Sequence, residues 1–196
     1  MTIIDVIGRI DTLKPNGYKQ SEKIKWLSEL DSEIKKQMED TFEVLDLACG
    51  TGTMSFLLAE RDYEVIGVDF SPEMLAQTFE KELSEGKERP IFLCQSMEDL
   101  DLYGTVDACV CCLDSVNYVT APARLKRAFQ RVHLFLSPGG LFLFDINTPE
   151  KLKGLDGQLF MDEGEDALCI WRADYSPRRR ICTYEMDIFS REGNGL

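Results

Sequence analysis

Val44-Leu-Asp-Leu-Ala-Cys-Gly-Thr-Gly52 is a short apolar run that carries one acid and ends in a Gly-x-Gly turn. Val44, Leu45 and Leu47 read as a buried strand, and Gly50 and Gly52 permit positive φ while leaving bare backbone for a ligand to approach. From Thr53 to Arg61 the apolar residues Met54, Leu57 and Leu58 have helical spacing, so the unit is strand, glycine turn, helix, with a ligand expected at the helix's amino end. A second apolar run, Val65 to Val68, ends in Asp69, nineteen residues after Gly50. Nucleotide-binding α/β units place there the carboxylate that accepts from ribose hydroxyls. Ser55 stands where the dinucleotide fingerprint has its third glycine, which weakens the case for a pyrophosphate turn.

Working outward, strands and helices alternate. Strands are expected at Glu43 to Ala48, Glu64 to Asp69, Ile91 to Gln95, Val106 to Leu113 and, after the turn Ser137-Pro-Gly-Gly140, Gly140 to Asp145. Helices are expected at Thr53 to Arg61, at Pro72 to Glu85 with Ser71 as its cap, and at Arg124 to Phe135. Such alternation implies right-handed crossovers and a parallel sheet covered on both faces, with ligands beyond the carboxyl ends of its strands. Ser21 to Asp40 carries Ile24, Leu27, Leu30, Ile34 and Met38 in an amphipathic helical stripe, which core packing or a partner would cover. Ala167 to Asp174 and Arg180 to Phe189 alternate like an antiparallel hairpin, with Cys182, Tyr184, Met186 and Ile188 on one apolar side. The expected organisation is an N-terminal helical segment (1–41), a cofactor-binding core (42–150) and an antiparallel lid or incomplete carboxyl part (151–196).

At 196 residues the chain suits one α/β domain, and its formal charge of −13 repels phosphate backbones, so nucleic acid is not expected as a substrate. Seven cysteines, three of them Cys109, Cys111 and Cys112 in one apolar stretch, fit reduced thiols in the cytoplasm. No metal site is expected: a strand sends Cys111 and Cys112 to opposite faces, and His133 lies in a helical segment. Met1 to Ile10 lacks the apolar core of a signal peptide, and no run reaches the length of a membrane span.

Asp46-Leu-Ala-Cys-Gly-Thr-Gly52 resembles the first motif of class I S-adenosylmethionine-dependent methyltransferases. The resemblance implies a three-layer Rossmann-like fold, S-adenosyl-L-methionine as cofactor with S-adenosyl-L-homocysteine as product, and methyl transfer to a small-molecule acceptor. It assigns Ala48, Cys49, Gly50 and Gly52 to the methionine part and Asp46 to the ammonium group, the ordinary alternative for Asp46 being a cap on a nearby amide. Asp69 resembles the ribose-binding acid, with Phe70 beside the adenine unless it is a plain core aromatic. In Gln95-Ser-Met-Glu98, Met97 fits the adenine-contacting position and Ser96 replaces an acid. Cys112-Leu-Asp-Ser-Val-Asn-Tyr118 is similar to the Phe-Asp-Ser-Leu-Asn-Tyr segment of a small bacterial subgroup. That likeness sets Leu113 near the transferred methyl and Asp114, Asn117 and Tyr118 toward the acceptor, where a loop using Asp and Asn as turn residues is the alternative. Asp145 or Tyr118 would deprotonate the acceptor, and the residues alone select neither.

The resemblance covers roughly residues 42 to 190. Beyond Asp145 the chain has too few residues for both the subgroup's lid and the fold's terminal strand pair; Trp171 and Tyr184 look like the lid. The expectation is therefore a truncated chain whose fifth strand lies at an exposed edge, available to a second copy in a homodimer. The competing functions are an NAD(P)-binding oxidoreductase and a non-catalytic S-adenosylmethionine-binding protein.

Overall fold

A computed structural model describes residues 42–86, 88–164 and 167–190, so the stripe of Ser21 to Asp40 and the segment 1–41 lie outside the described residues. Contacts divide the chain into two compact units, one through Asp145 and one from Ile146.

The first unit is built on β1 (Glu43–Leu47), β2 (Glu64–Asp69), β3 (Ile91–Cys94), β4 (Val106–Cys111) and β5 (Leu136–Phe144). They form one parallel sheet in the order β3-β2-β1-β4-β5. Alternation along β1 sends Val44 to one face, where it packs with Leu58, Ala59 and Tyr63, and Leu45 and Leu47 to the other, with Leu100, Cys109 and Val132. The helices α1 (Thr53–Ala59), with Leu58 and Ala59, and α3 (Pro122–Phe135), with Val132, lie on opposite faces, so the sheet is covered on both sides. Cys111 joins the second cluster and Cys112 the first, as residues adjacent at a strand end must.

Among the boundaries that differ from the sequence reading, three have a visible cause. The helix expected to reach Glu85 is α2 (Pro72–Ala76) followed by a 3-10 turn, Gln77–Glu80. There the buried Thr78 hydroxyl donates back to Leu75 O (2.7 Å), and the Arg89 guanidinium donates to Thr78 O (2.5 Å) and Lys81 O (2.8 Å), so side chains replace the next helical turn. β5 starts at Leu136, because Ser137 to Gly140 form a bulge inside the strand instead of a preceding turn. Gly139 takes φ of +86°, and a Cβ on Gly140 would stand 2.8 Å from Asp107 O. β4 ends at Cys111, short of Leu113, because Leu113 turns into the left-handed region at φ +60°.

The second unit holds the short helix α4 (Pro149–Gly154) and an antiparallel sheet of β6 (Gln158–Glu163), β7 (Ala167–Ser176) and β8 (Ile181–Ser190). The expected hairpin is β7–β8, and β6 is a third strand that the sequence reading lacked. Phe160 stacks on Trp171 (4.0 Å between centroids), and Tyr184 meets Trp171 edge to face. Cys182 and Tyr184 are half-buried, whereas Met186 and Ile188 on the same side are 64% and 70% exposed. This sheet does not join the parallel one, in which β5 is the last strand among the described residues. No helix among them is long and apolar enough to cross a membrane.

Candidate functional site

The carboxyl ends of β1 to β4 open on a cavity of about 1220 Å³, every lining residue of which lies between Asp46 and Asp145. Of the positions singled out in the sequence, Asp46, Ala48, Cys49, Gly50, Asp69, Phe70, Ser96, Met97, Leu113, Tyr118 and Asp145 line it; Gly52, Asp114 and Asn117 do not.

The turn after β1 is shaped by backbone. Ala48, Gly50 and Gly52 have φ of +61°, +56° and +73°. Cys49 N–H donates to Val68 O (3.0 Å), tying the turn to β2, and Phe56 N–H donates to Gly52 O (2.9 Å), which starts α1. The two glycines do different work. A Cβ on Gly50 would meet nothing within 4 Å, so bare backbone faces open space, whereas one on Gly52 would stand 2.9 Å from Phe92 Cζ. Gly52 is a packing glycine.

Asp69 is buried at the end of β2, where its Oδ2 accepts from Gly50 N–H (2.8 Å) and its Oδ1 from Ser71 N–H (2.9 Å). One carboxylate thus fixes both turns at the cavity floor and keeps a further lone pair on each oxygen. Asp46, also buried, accepts from the Ser55 hydroxyl at 2.6 Å. Burial pushes its carboxyl up to about 6; Ser55 pulls it down through its hydroxyl and amide, and the charge of Asp69 pushes it up again. Burial and the neighbouring acids also raise the Cys49, Cys111 and Cys112 thiols, which makes them poor nucleophiles.

Phe70 is 75% exposed and belongs to the cavity rim, not the core. Opposite it, Met97–Asp99 form a 3-10 turn held against α3 by three arginines. Arg124 pairs with Glu98, Arg127 donates to Asp99 Oδ1 (2.8 Å), and Arg131 donates to Leu100 O (2.5 Å) and Asp101 Oδ1 (2.9 Å). Arg124 and Glu98 line the cavity, and the sequence reading missed both. The signal was available: three arginines on one helical face opposite three acids in residues 98–101.

The far wall is residues 112–118. Leu113 and Asp114 both take positive φ (+60° and +51°), and this turn is held by Asp114 N–H donating to Asp145 Oδ2 (2.9 Å), Ser115 Oγ donating to Cys112 O (2.7 Å) and Asn117 N–H donating to Asp114 O (2.8 Å). Burial, then the charge of Asp114, raise the Tyr118 phenol, which holds its proton more firmly than a free one.

Residues 44–140 match the family profile described as a methyltransferase domain. Among curated proteins, the chain is 33% identical to "Putative methyltransferase YqeM" of Bacillus subtilis over 162 residues, which make up 82% of this chain but only 65% of that relative. A Geobacillus protein with a similar name is 28% identical over 87% of this chain and 69% of its own length. Among solved structures, an S-adenosylmethionine-dependent methyltransferase from Clostridium acetobutylicum superposes with a TM-score of 0.80 at 28% identity, covering 99% of this chain and 77% of the other. A sugar N-methyltransferase from Streptoalloteichus, 22% identical with a TM-score of 0.72 over 94% of this chain and 77% of its own, shares the fold. The strand order, the glycine turn with its two acids and these matches agree: the chain belongs to the class I S-adenosylmethionine-dependent methyltransferase family.

Proposed function

We propose that this chain binds S-adenosylmethionine in the cavity of its first unit and transfers the methyl group to a small-molecule acceptor. The carrying observation is the Asp69 carboxylate that pins the Gly50 amide beside open space: bare backbone and a buried acid with free lone pairs suit a nucleoside-amino acid ligand. In this reading Ala48, Cys49, Gly50 and Gly52 shape the methionine side, and Asp46 offers a counter-charge to the ammonium group. Asp69 takes the ribose hydroxyls, while Phe70, Ser96 and Met97 flank the adenine. Bound there, the cofactor supplies a methyl carbon activated by its sulfonium. Holding an acceptor in line with that carbon does most of the work. Leu113 and Tyr118 form the acceptor wall, and Asp145 is the proton acceptor, since Tyr118 keeps its own proton. Asp114 acts through its backbone, as the end of the turn that Asp145 grips.

An NAD(P) site is disfavoured because Ser55 fills the third glycine's place with a buried hydroxyl committed to Asp46. The free state of the seven cysteines supports a cytoplasmic setting, and the charge of −13 argues against nucleic acid as acceptor. We also propose that the β5 edge pairs with a second copy, an assembly that a monomeric mass in light scattering would rule out. Calorimetry with S-adenosylmethionine, S-adenosylhomocysteine and NADH tests the main reading. The first two ligands are expected to bind wild type and to lose at least about tenfold in Asp69→Ala, two hydrogen bonds to charge being removed. Binding of NADH alone overturns it, and cofactor binding with no turnover across acceptor classes favours the non-catalytic alternative.

A further inference from the structure

The resemblance sets Ser96 in place of an acid beside the adenine ring, and a lone hydroxyl is an ambiguous substitute. It donates or accepts as its rotor turns, so by itself it distinguishes a 6-amino purine poorly from a 6-oxo one. Ser96 is not alone. Its Oγ–H donates to Asp99 Oδ2 at 2.8 Å, while Asp99 Oδ1 accepts from Arg127 at 2.8 Å and Asp99 N–H donates to Ser96 O at 3.1 Å. A serine at the head of a 3-10 turn ordinarily accepts from a backbone amide, but no such bond forms here and its proton goes to the carboxylate. With the proton committed, only lone pairs remain for the cavity that Ser96 lines, and the charged partner strengthens them as acceptors. Asp99 itself does not line the cavity.

We infer that Asp99 is a specificity-determining positioning residue: held by Arg127, it locks Ser96 as a hydrogen-bond acceptor, so that the pair replaces the family's acid and selects a 6-amino purine. The inference rests on the cofactor reading above. A 6-oxo purine would present an acceptor to an acceptor, and repulsion would reject it.

The test is calorimetry with S-adenosylhomocysteine and its deaminated analogue S-inosylhomocysteine. Wild type should prefer the adenine ligand by about tenfold or more, the worth of one hydrogen bond between neutral and charge-assisted strength. Asp99→Ala frees the serine rotor and should narrow that preference to about threefold or less, chiefly by improving the 6-oxo ligand. Ser96→Ala should narrow it as well, and the double variant no further, because the two residues act as one device. Ser96→Asp in the Asp99→Ala background should restore the preference by returning an acid to the site. A purely structural role would weaken both ligands equally, so an unchanged ratio in Asp99→Ala overturns the inference. Failure of S-adenosylhomocysteine to bind wild type overturns the cofactor reading instead, and this proposal with it.

Discussion

Asp46 sits beneath the glycine turn with its charge removed from water, and its one side-chain partner is the Ser55 hydroxyl at 2.6 Å. Burial pushes this carboxyl from its ordinary value of 3.8 up to about 6, so the folded chain favours its neutral form more than the unfolded chain does. The sign follows: the stability owed to its neutral form is fully present below about pH 4 and is lost as pH rises through 6, a cost on the order of 3 kcal/mol at pH 8. Asp46→Asn keeps an acceptor for Ser55 and removes the charge. In urea denaturation it should match wild type at pH 4 and exceed it at pH 8. Cofactor affinity should go the other way. An ammonium ligand needs the ionised form, so affinity for S-adenosylhomocysteine should rise about tenfold in wild type between pH 5 and 7 and stay low and flat in Asp46→Asn. A flat wild-type profile would remove Asp46 from the ammonium site. Asp46 and Asp69 were legible in the sequence because acids inside apolar runs at fixed distances from a glycine turn are rare without a reason. The partnership of Ser55 with Asp46 was not, because nine residues of sequence separation say nothing about which way a helix presents its hydroxyl.

At the scale of elements, the legible parts were those with strong periodicity. β1, β2 and α1 stand close to where apolar spacing put them, whereas α2, β5 and β6 do not. Each miss has a local cause: a threonine bonding back on its own helix, a glycine bulge that looks like a turn, and a short strand, Gln158–Glu163, with apolar residues on both faces. The left-handed turn at Leu113 was invisible because leucine rarely takes positive φ, whereas Asp114 beside it is of a type enriched there. Tertiary packing also explains what Gly67 is for. It pairs with Phe92 across β2 and β3, and Phe92 stacks on Phe56 of α1 (5.8 Å, 28°). A Cβ on Gly67 would stand 2.6 Å from the Phe92 ring, and one on Gly52 only 2.9 Å from its tip, so the two glycines leave room for one aromatic that links sheet, helix and turn. Gly67→Ala should therefore destabilise by about 1–3 kcal/mol through overpacking. Phe92→Leu shortens the obstacle, so the double variant should be more stable than the sum of the single losses in urea denaturation. Strict additivity would show that the ring moves aside freely.

For the molecule as a whole, the division at Asp145 separates two kinds of surface. The described residues that line the 1220 Å³ cavity belong to the first unit, whose parallel sheet positions them by ending four strands at one level. The second unit is held by an aromatic row of Phe160, Trp171 and Tyr184 across three strands, with exposed apolar residues at its end. Its hairpin was legible from strict alternation, whereas the choice between a lid and the terminal pair of the parallel sheet rested on the likeness of Trp171 and Tyr184 to a lid, since strand periodicity carries no pairing partner. The separation predicts how function divides. Trp171→Ala deletes the centre of the aromatic row and should cost about 1–3 kcal/mol in that sheet, the upper end requiring that both ring contacts be lost. Because the described residues that line the cavity all belong to the first unit, affinity for S-adenosylhomocysteine should remain within about twofold of wild type, with any loss of turnover appearing in kcat or in KM for the acceptor. A loss of affinity beyond about tenfold in a variant whose first unit is still folded would mean that the second sheet closes on the cofactor itself. Amide exchange in β1 and β4, the central strands of the first sheet, supplies that check on folding.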